Sequence, residues 1–102
     1  MKNVRNSSKN TPELSVVVPA YNIENYIGRC IESLLKQDTI DLEIIIVDDG
    51  STDRTGSIAE EYAAAESRIK VVHQENQGLY KARTCGVRFA SAEYVTFCDG
   101  DN

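Results

Sequence analysis

Hydrophobic and polar positions alternate between two periods along this chain. Segments 14–18 (LSVVV), 42–47 (LEIIIV), 69–72 (IKVV) and 94–98 (YVTFC) are short, β-branched and mostly apolar, which predicts strands; the near-continuous 42–47 run predicts one covered on both faces. Between the first two, 25–36 sets Tyr26, Ile27, Cys30, Ile31, Leu34 and Leu35 along one helical stripe, with Arg29, Glu32 and Lys36 opposite. Segment 55–65 is rich in Ala and Glu and turns Ile58, Ala59, Tyr62 and Ala65 to one side, and 79–89 forms a further helical run. The predicted order is strand then helix, repeated, with a closing strand.

Alternating units of this length require parallel strands joined by right-handed crossovers. The expected fold class is therefore α/β, a three-layer α/β/α arrangement around a parallel Rossmann-like sheet. Residues 1–13 are polar, hold Pro12 and show no periodicity, so they are expected to form a flexible arm before a domain spanning 14–102.

Composition narrows the function. At 102 residues, 41% of them hydrophobic, the chain supports one core and no second unit. Eleven basic against sixteen acidic residues leave a net charge of -5, which argues against charge-driven binding to nucleic acid or to an anionic membrane. Any phosphate must be held locally. Cys30, Cys85 and Cys98 lie inside apolar segments without C-x-x-C spacing and read as reduced core residues. No run has the length or apolarity of a secretory signal or a membrane span. The expectation is a cytoplasmic protein, reaching the cytoplasmic face of a membrane only through a segment after Asn102.

In parallel sheets of this kind ligands bind outside the carboxyl ends of the strands. Four loops occupy that rim: 19–22 (PAYN), 48–53 (DDGSTD), 74–78 (QENQG) and 99–102 (DGDN). Asp99 and Asp101 flank Gly100, so two carboxylates can approach one point, a pattern that suits Mg²⁺ or Mn²⁺ completed by water and phosphate oxygens. Read alone, such a pair is a solvated turn. DDGSTD read alone caps a helix through Ser51, Thr52 or Asp53, with Gly50 at positive φ. Two adjacent aspartates exceed that need, and a carboxylate there suits the imide N–H of uracil.

Tyr21 offers a flat ring for a base, or packs on the first helix; Pro19 stiffens the backbone beside it. Arg83 either counters a diphosphate or is a solvated helix residue. His73, the one histidine, has no partner at metal spacing and reads as structural. The glycine motifs of nucleotide triphosphatases, dinucleotide enzymes and α/β-hydrolases do not occur.

Taken in order and spacing, LSVVVPAYN, the helix with Tyr26 and IESLL, LEIIIVDDGSTDRT, the NQG loop, the Ala82-Arg83 step and YVTFCDGD resemble the nucleotide-sugar-binding half of family 2 inverting glycosyltransferases of the GT-A fold. The resemblance spans 14–102. It implies that Pro19, Ala20 and Tyr21 line a uridine site and that Asp49, with Asp48 beside it, reads the base. It implies Arg83 near the diphosphate, Asp99 at the ribose or reaching the metal through water, and Asp101 as the direct ligand of Mn²⁺ or Mg²⁺. The donor so implied is a nucleotide-diphosphate sugar, above all a UDP-sugar. The acceptor is a glycan or a lipid-linked saccharide, as in polysaccharide biosynthesis. The family's general base lies in a later acceptor-binding half, which would fall beyond Asn102, so no catalytic base is expected within these residues and no sugar transfer by them alone.

Two positions depart from the family pattern: Thr84 stands where asparagine often follows Ala-Arg, and Asn102 where a second acid often follows D-x-D. They leave the donor sugar open. A non-catalytic nucleotide-binding module would present the same rim. A flavodoxin-like receiver domain would leave Tyr21 and the NQG loop unexplained. For Tyr21 and Asp99 to flank one crevice, the first and fourth strands must be neighbours, which predicts the spatial order 3-2-1-4.

Overall fold

A computed structural model describes residues 11–37 and 39–99. In chain order they form β1 (Leu14–Ala20), α1 (Ile27–Leu35), β2 (Leu42–Asp49), α2 (Thr55–Ala65), β3 (Ile69–Gln74), α3 (Leu79–Phe89) and β4 (Val95–Phe97). Every pairing is parallel, as the alternation of periods predicts, and the strand order is β3-β2-β1-β4, as expected for Tyr21 and Asp99 to flank one crevice. Most of the predicted arm lies outside the described residues. At Glu13 the chain is already tied down: its amide donates to the Asp41 carbonyl at 2.9 Å, and the Asp41 amide donates to Glu13 Oε1 at 2.8 Å.

Side-chain alternation sorts the core into two layers. Val16, Val18 and Ala20 of β1 join Leu42, Ile44 and Ile46 of β2 on the face covered by α1 and α2. Val17, Ile45 and Val47 face the other way, against Ala82 of α3. Because β2 is central and covered on both sides, all of its residues are buried, which is why its sequence lacks strict alternation. The cysteines are free and partly buried, with Cys30 and Cys98 in the first layer and Cys85 in the second. Burial first, and the Cys98 thiol 3.7 Å away, push the Cys30 thiol up to about 12, so it behaves as a packing group.

β1 runs two residues past its predicted end at Val18. On β1 the Ser15 amide donates to Tyr94 O, so odd-numbered amides face β4, and the donor missing at Pro19 falls where β4 has ended. Its pairing with β2 therefore continues through Pro19↔Val47 and Ala20↔Asp48.

α3 lies so close to the sheet that a Cβ on Gly86 would meet Val17 Cγ1 at 2.3 Å. Val17 is fully buried at the sheet's centre and has nowhere to retreat. Gly86→Ala is therefore expected to destabilise the domain by about 1–2 kcal/mol through overpacking, measured as a lowered urea midpoint at unchanged m-value. An unchanged midpoint would show that α3 can slide on the sheet.

Candidate functional site

The rim loops meet where β1 and β4 lie side by side. There Pro19, Tyr21, Asp49, Asn76, Leu79 and Asp99 line an open cleft of ≈ 190 Å³. The crossover leaving β1, α1, lies on one face of the sheet and α3, which leads into β4, lies on the other, so the crevice falls between them. Tyr21 keeps 41% of its surface exposed, so its ring is available to a ligand rather than used up against α1.

Successive residues of a strand point to opposite faces, and this separates the two aspartates. Asp49 faces the cleft side, yet it is only 1% exposed. Its Oδ1 accepts the Gln77 amide at 2.9 Å and Gln74 Nε2 at 2.8 Å, and its Oδ2 accepts the Gly78 amide at 3.0 Å. One carboxylate thus holds the entry to α3, and Oδ2 keeps acceptor capacity. Asp48 faces the α2 side. Its Oδ1 accepts the Ser51 amide at 3.0 Å and its Oδ2 lies 2.9 Å from His73 Nδ1.

Two residues expected on the uridine side therefore do not line the cleft. Ala20 and Asp48 are register partners on the α1/α2 face, where Ala20 packs in the core and Asp48 sits beneath its own loop. The loop itself follows its simpler reading in part. Gly50 has φ +73°, and Asp53 Oδ1 accepts the Thr55 amide at 2.9 Å at the start of α2.

Asn22, Ile23 and Glu24 after β1 are held to this loop by side-chain hydrogen bonds whose partners no local pattern announces. Asn22 Oδ1 accepts the Thr52 amide at 2.8 Å, and Ser51 Oγ accepts the Asn22 amide at 3.0 Å. Thr55 Oγ1 accepts the Ile23 amide at 2.8 Å, and Glu24 Oε1 accepts the Arg54 amide at 2.8 Å. The polar residues after PAY were the available signal, although their partners lie about thirty positions away.

His73 has two carboxylate neighbours, with Nε2 2.6 Å from Glu60 Oε2 in addition to Asp48. Glu60 first, then Asp48, raises its pKa above the ordinary imidazole value. A raised folded value means that the contribution to stability is full below the unfolded pKa and is lost as pH rises through the folded one. This agrees with the structural reading of His73 and gives it specific partners.

On the other wall, Arg83 Nη2 donates to Asp99 Oδ1 at 2.9 Å, with both side chains partly exposed. The guanidinium is thus brought to the rim and engaged by a carboxylate there. Asp101 lies outside the described residues. Among the described residues no group of three or more His, Cys, Asp or Glu side chains could hold a metal ion. Asp99 fits one as a hard oxygen donor opening onto the cleft.

The model of the family described as "Glycosyl transferase family 2" matches residues 15–102. The chain belongs to this family. Among curated relatives, the "Uncharacterized glycosyltransferase EpsJ" of Bacillus subtilis is 50% identical over 91 residues, covering 89% of this chain and 26% of that protein. The chondroitin synthase of Escherichia coli is 42% identical over 94 residues, covering 92% of the chain and 14% of that protein.

Among solved structures, S. aureus TarS 1-349 in complex with UDP aligns with TM-score 0.78 at 40% identity, over 87% of this chain and 27% of that one. The mannosyltransferase PcManGT of Pyrobaculum calidifontis, in complex with GDP-Man and Mn²⁺, aligns with TM-score 0.81 at 30% identity, over 89% and 28%. The sheet is thus that of the GT-A glycosyltransferases. The chain spans about a quarter of the first of these relatives and of both solved structures, and less of the chondroitin synthase. No helix among the described residues is long and apolar enough to cross a membrane.

Proposed function

We propose that this family 2 chain is the donor-binding part of a glycosyltransferase, taking a UDP-sugar with Mn²⁺ or Mg²⁺ for inverting transfer to a glycan or lipid-linked acceptor. The observation that carries the reading is the buried Asp49 carboxylate opening onto a cleft beside an exposed tyrosine ring. Uracil offers one imide donor between two carbonyls, which suits an acceptor with capacity left on Oδ2. In this reading Tyr21 and Pro19 bound the base, while Asp48 and Ala20 support them from the opposite face. Asp99 meets the ribose or the metal, Asp101 holds the metal directly, and Arg83 stands near the diphosphate.

A cleft of ≈ 190 Å³ is smaller than the usual ligand pocket of about 300–1,000 Å³, so it encloses part of a nucleotide sugar. In this reading the rest of the donor, the acceptor and the general base are met outside this cleft. Bound between Asp99 and Asp101, a dication would neutralise charge on the departing diphosphate. What this chain does is bind and orient the donor; its rim carries aspartates, and Arg83 beside the cleft is engaged by Asp99.

Calorimetric titration with UDP tests this. Mn²⁺ is expected to tighten binding by at least about tenfold, a difference of roughly 1.4 kcal/mol, and Asp101→Asn to remove that gain. Equal affinity with and without Mn²⁺ would overturn the metal role, and GDP binding in place of UDP would reassign the base.

A further inference from the structure

We propose that His73 is a positioning residue for the base end of the cleft, gripping Asp48 as an imidazolium so that nucleoside binding and protonation of its ring favour one another. The inference rests on the donor-site reading above. His73 itself is outside the cleft, on the α2 side of the sheet. A run of contacts nevertheless connects them: the ring meets Asp48 Oδ2 at 2.9 Å, Asp48 Oδ1 accepts the Ser51 amide at 3.0 Å, and Ser51 Oγ accepts the Asn22 amide at 3.0 Å. Asn22 follows Tyr21, whose ring lines the cleft.

Both ring nitrogens face carboxylate oxygens, Asp48 from β2 and Glu60 from α2, the two elements packed against β3. An ionised carboxylate only accepts, so satisfying both contacts needs two N–H donors, which only the protonated ring supplies. α2 also presses closely on the pair: a Cβ on Gly56 would lie 2.5 Å from Asp48 Oδ2 and 3.2 Å from His73 Cε1. When the ring loses its proton, exposed Glu60 can turn to water, whereas Asp48, with its side chain 9% exposed, stays and loses its counter-charge. The loop above then rests on an uncompensated carboxylate, and the 21–22 backbone it stitches is held less firmly. A ligand that needs Tyr21 in place binds the protonated form better, and by reciprocity its binding must raise the pKa of the ring.

This is measurable directly, because His73 is the one histidine in the chain and its ring proton signals need no assignment. The ring is titrated by NMR over about pH 5 to 8, without metal, in the absence and presence of saturating uridine. Uridine is uncharged in this range, so a shift does not arise from phosphate or metal charge. A coupling of about fivefold, the low end for linked sites, corresponds to an upward shift of about 0.7. Uridine that binds, by chemical-shift change elsewhere in the protein, while leaving the His73 titration in place would overturn the proposal and spare the donor reading. Uridine that does not bind at millimolar concentration would overturn the uridine reading and this inference with it.

Discussion

Replacing Glu43 with alanine is expected to lower the stability of the domain by about 3 kcal/mol and its thermal midpoint by about 15 °C. Glu43 lies within β2, 6% exposed, at a position where its neighbours in sequence are Leu42 and Ile44. Its carboxylate is satisfied from three directions. Ser15 Oγ of β1 donates to Oε1 at 2.6 Å, as does the Ser91 amide after α3 at 2.9 Å; Ser91 Oγ and Lys70 Nζ of β3 donate to Oε2. Alanine strands the buried Ser15 hydroxyl, at the cost of about 1–3 kcal/mol for a buried donor left unpaired, and also removes the packing of the Glu43 methylenes and the acceptor of exposed Ser91. Lys70 is half-exposed and is freed at little cost.

The same group gives stability an acid dependence. Burial raises the Glu43 pKa, but donation from Lys70, Ser15 and Ser91 outweighs it and brings the value from 4.5 down to about 2. A depressed folded value means that the contribution is full above 4.5 and disappears as pH falls toward about 2. The wild-type thermal midpoint should therefore drop across that window, and Glu43→Gln, which does not titrate, should show a shallower drop. Parallel pH profiles for the two proteins would place the acid sensitivity elsewhere.

Glu43 also marks where sequence legibility ended. The apolar run 42–47 announced an interior strand because period and β-branching are local properties. Nothing local announced that its one acid stays inside, since its partners come from β1, β3 and the end of α3. Element types and parallel pairing were legible for the same reason that partners were not: alternation and crossover handedness are short-range rules, and hydrogen bonds across 28 or 48 positions are not. The rim shows the same division. Placing DDGSTD at the end of β2 followed from where the apolar run stops. Sending Asp48 and Asp49 to opposite faces required β2 to continue through both of them, as it does, paired with His73 and Gln74. The lock between 22–24 and 51–55 joins two loops about thirty positions apart, beyond the range of any local pattern.

Asp49→Ala is expected to weaken UDP binding by at least about tenfold, because a hydrogen bond to a charged group contributes roughly 1.5–3 kcal/mol. That loss alone would not separate two explanations. The carboxylate also holds the Gln77 and Gly78 amides at the start of α3, so its removal could disturb Leu79 and the cleft wall without any contact to the base. The discriminating quantity is the UDP-to-CDP affinity ratio. Cytosine presents a ring-nitrogen lone pair where uracil presents an N–H, so a carboxylate acceptor repels it while a merely structural carboxylate is indifferent. The wild-type chain should prefer UDP by at least about tenfold, since a site built to accept one donor rejects a ligand lacking it. In Asp49→Ala that ratio should fall toward one, with CDP affinity changing far less than UDP affinity. Asp49→Asn should likewise lose the preference, because its amide can accept from uracil or donate to cytosine. If both nucleotides instead weaken equally and the ratio survives, Asp49 holds the wall and another group reads the base.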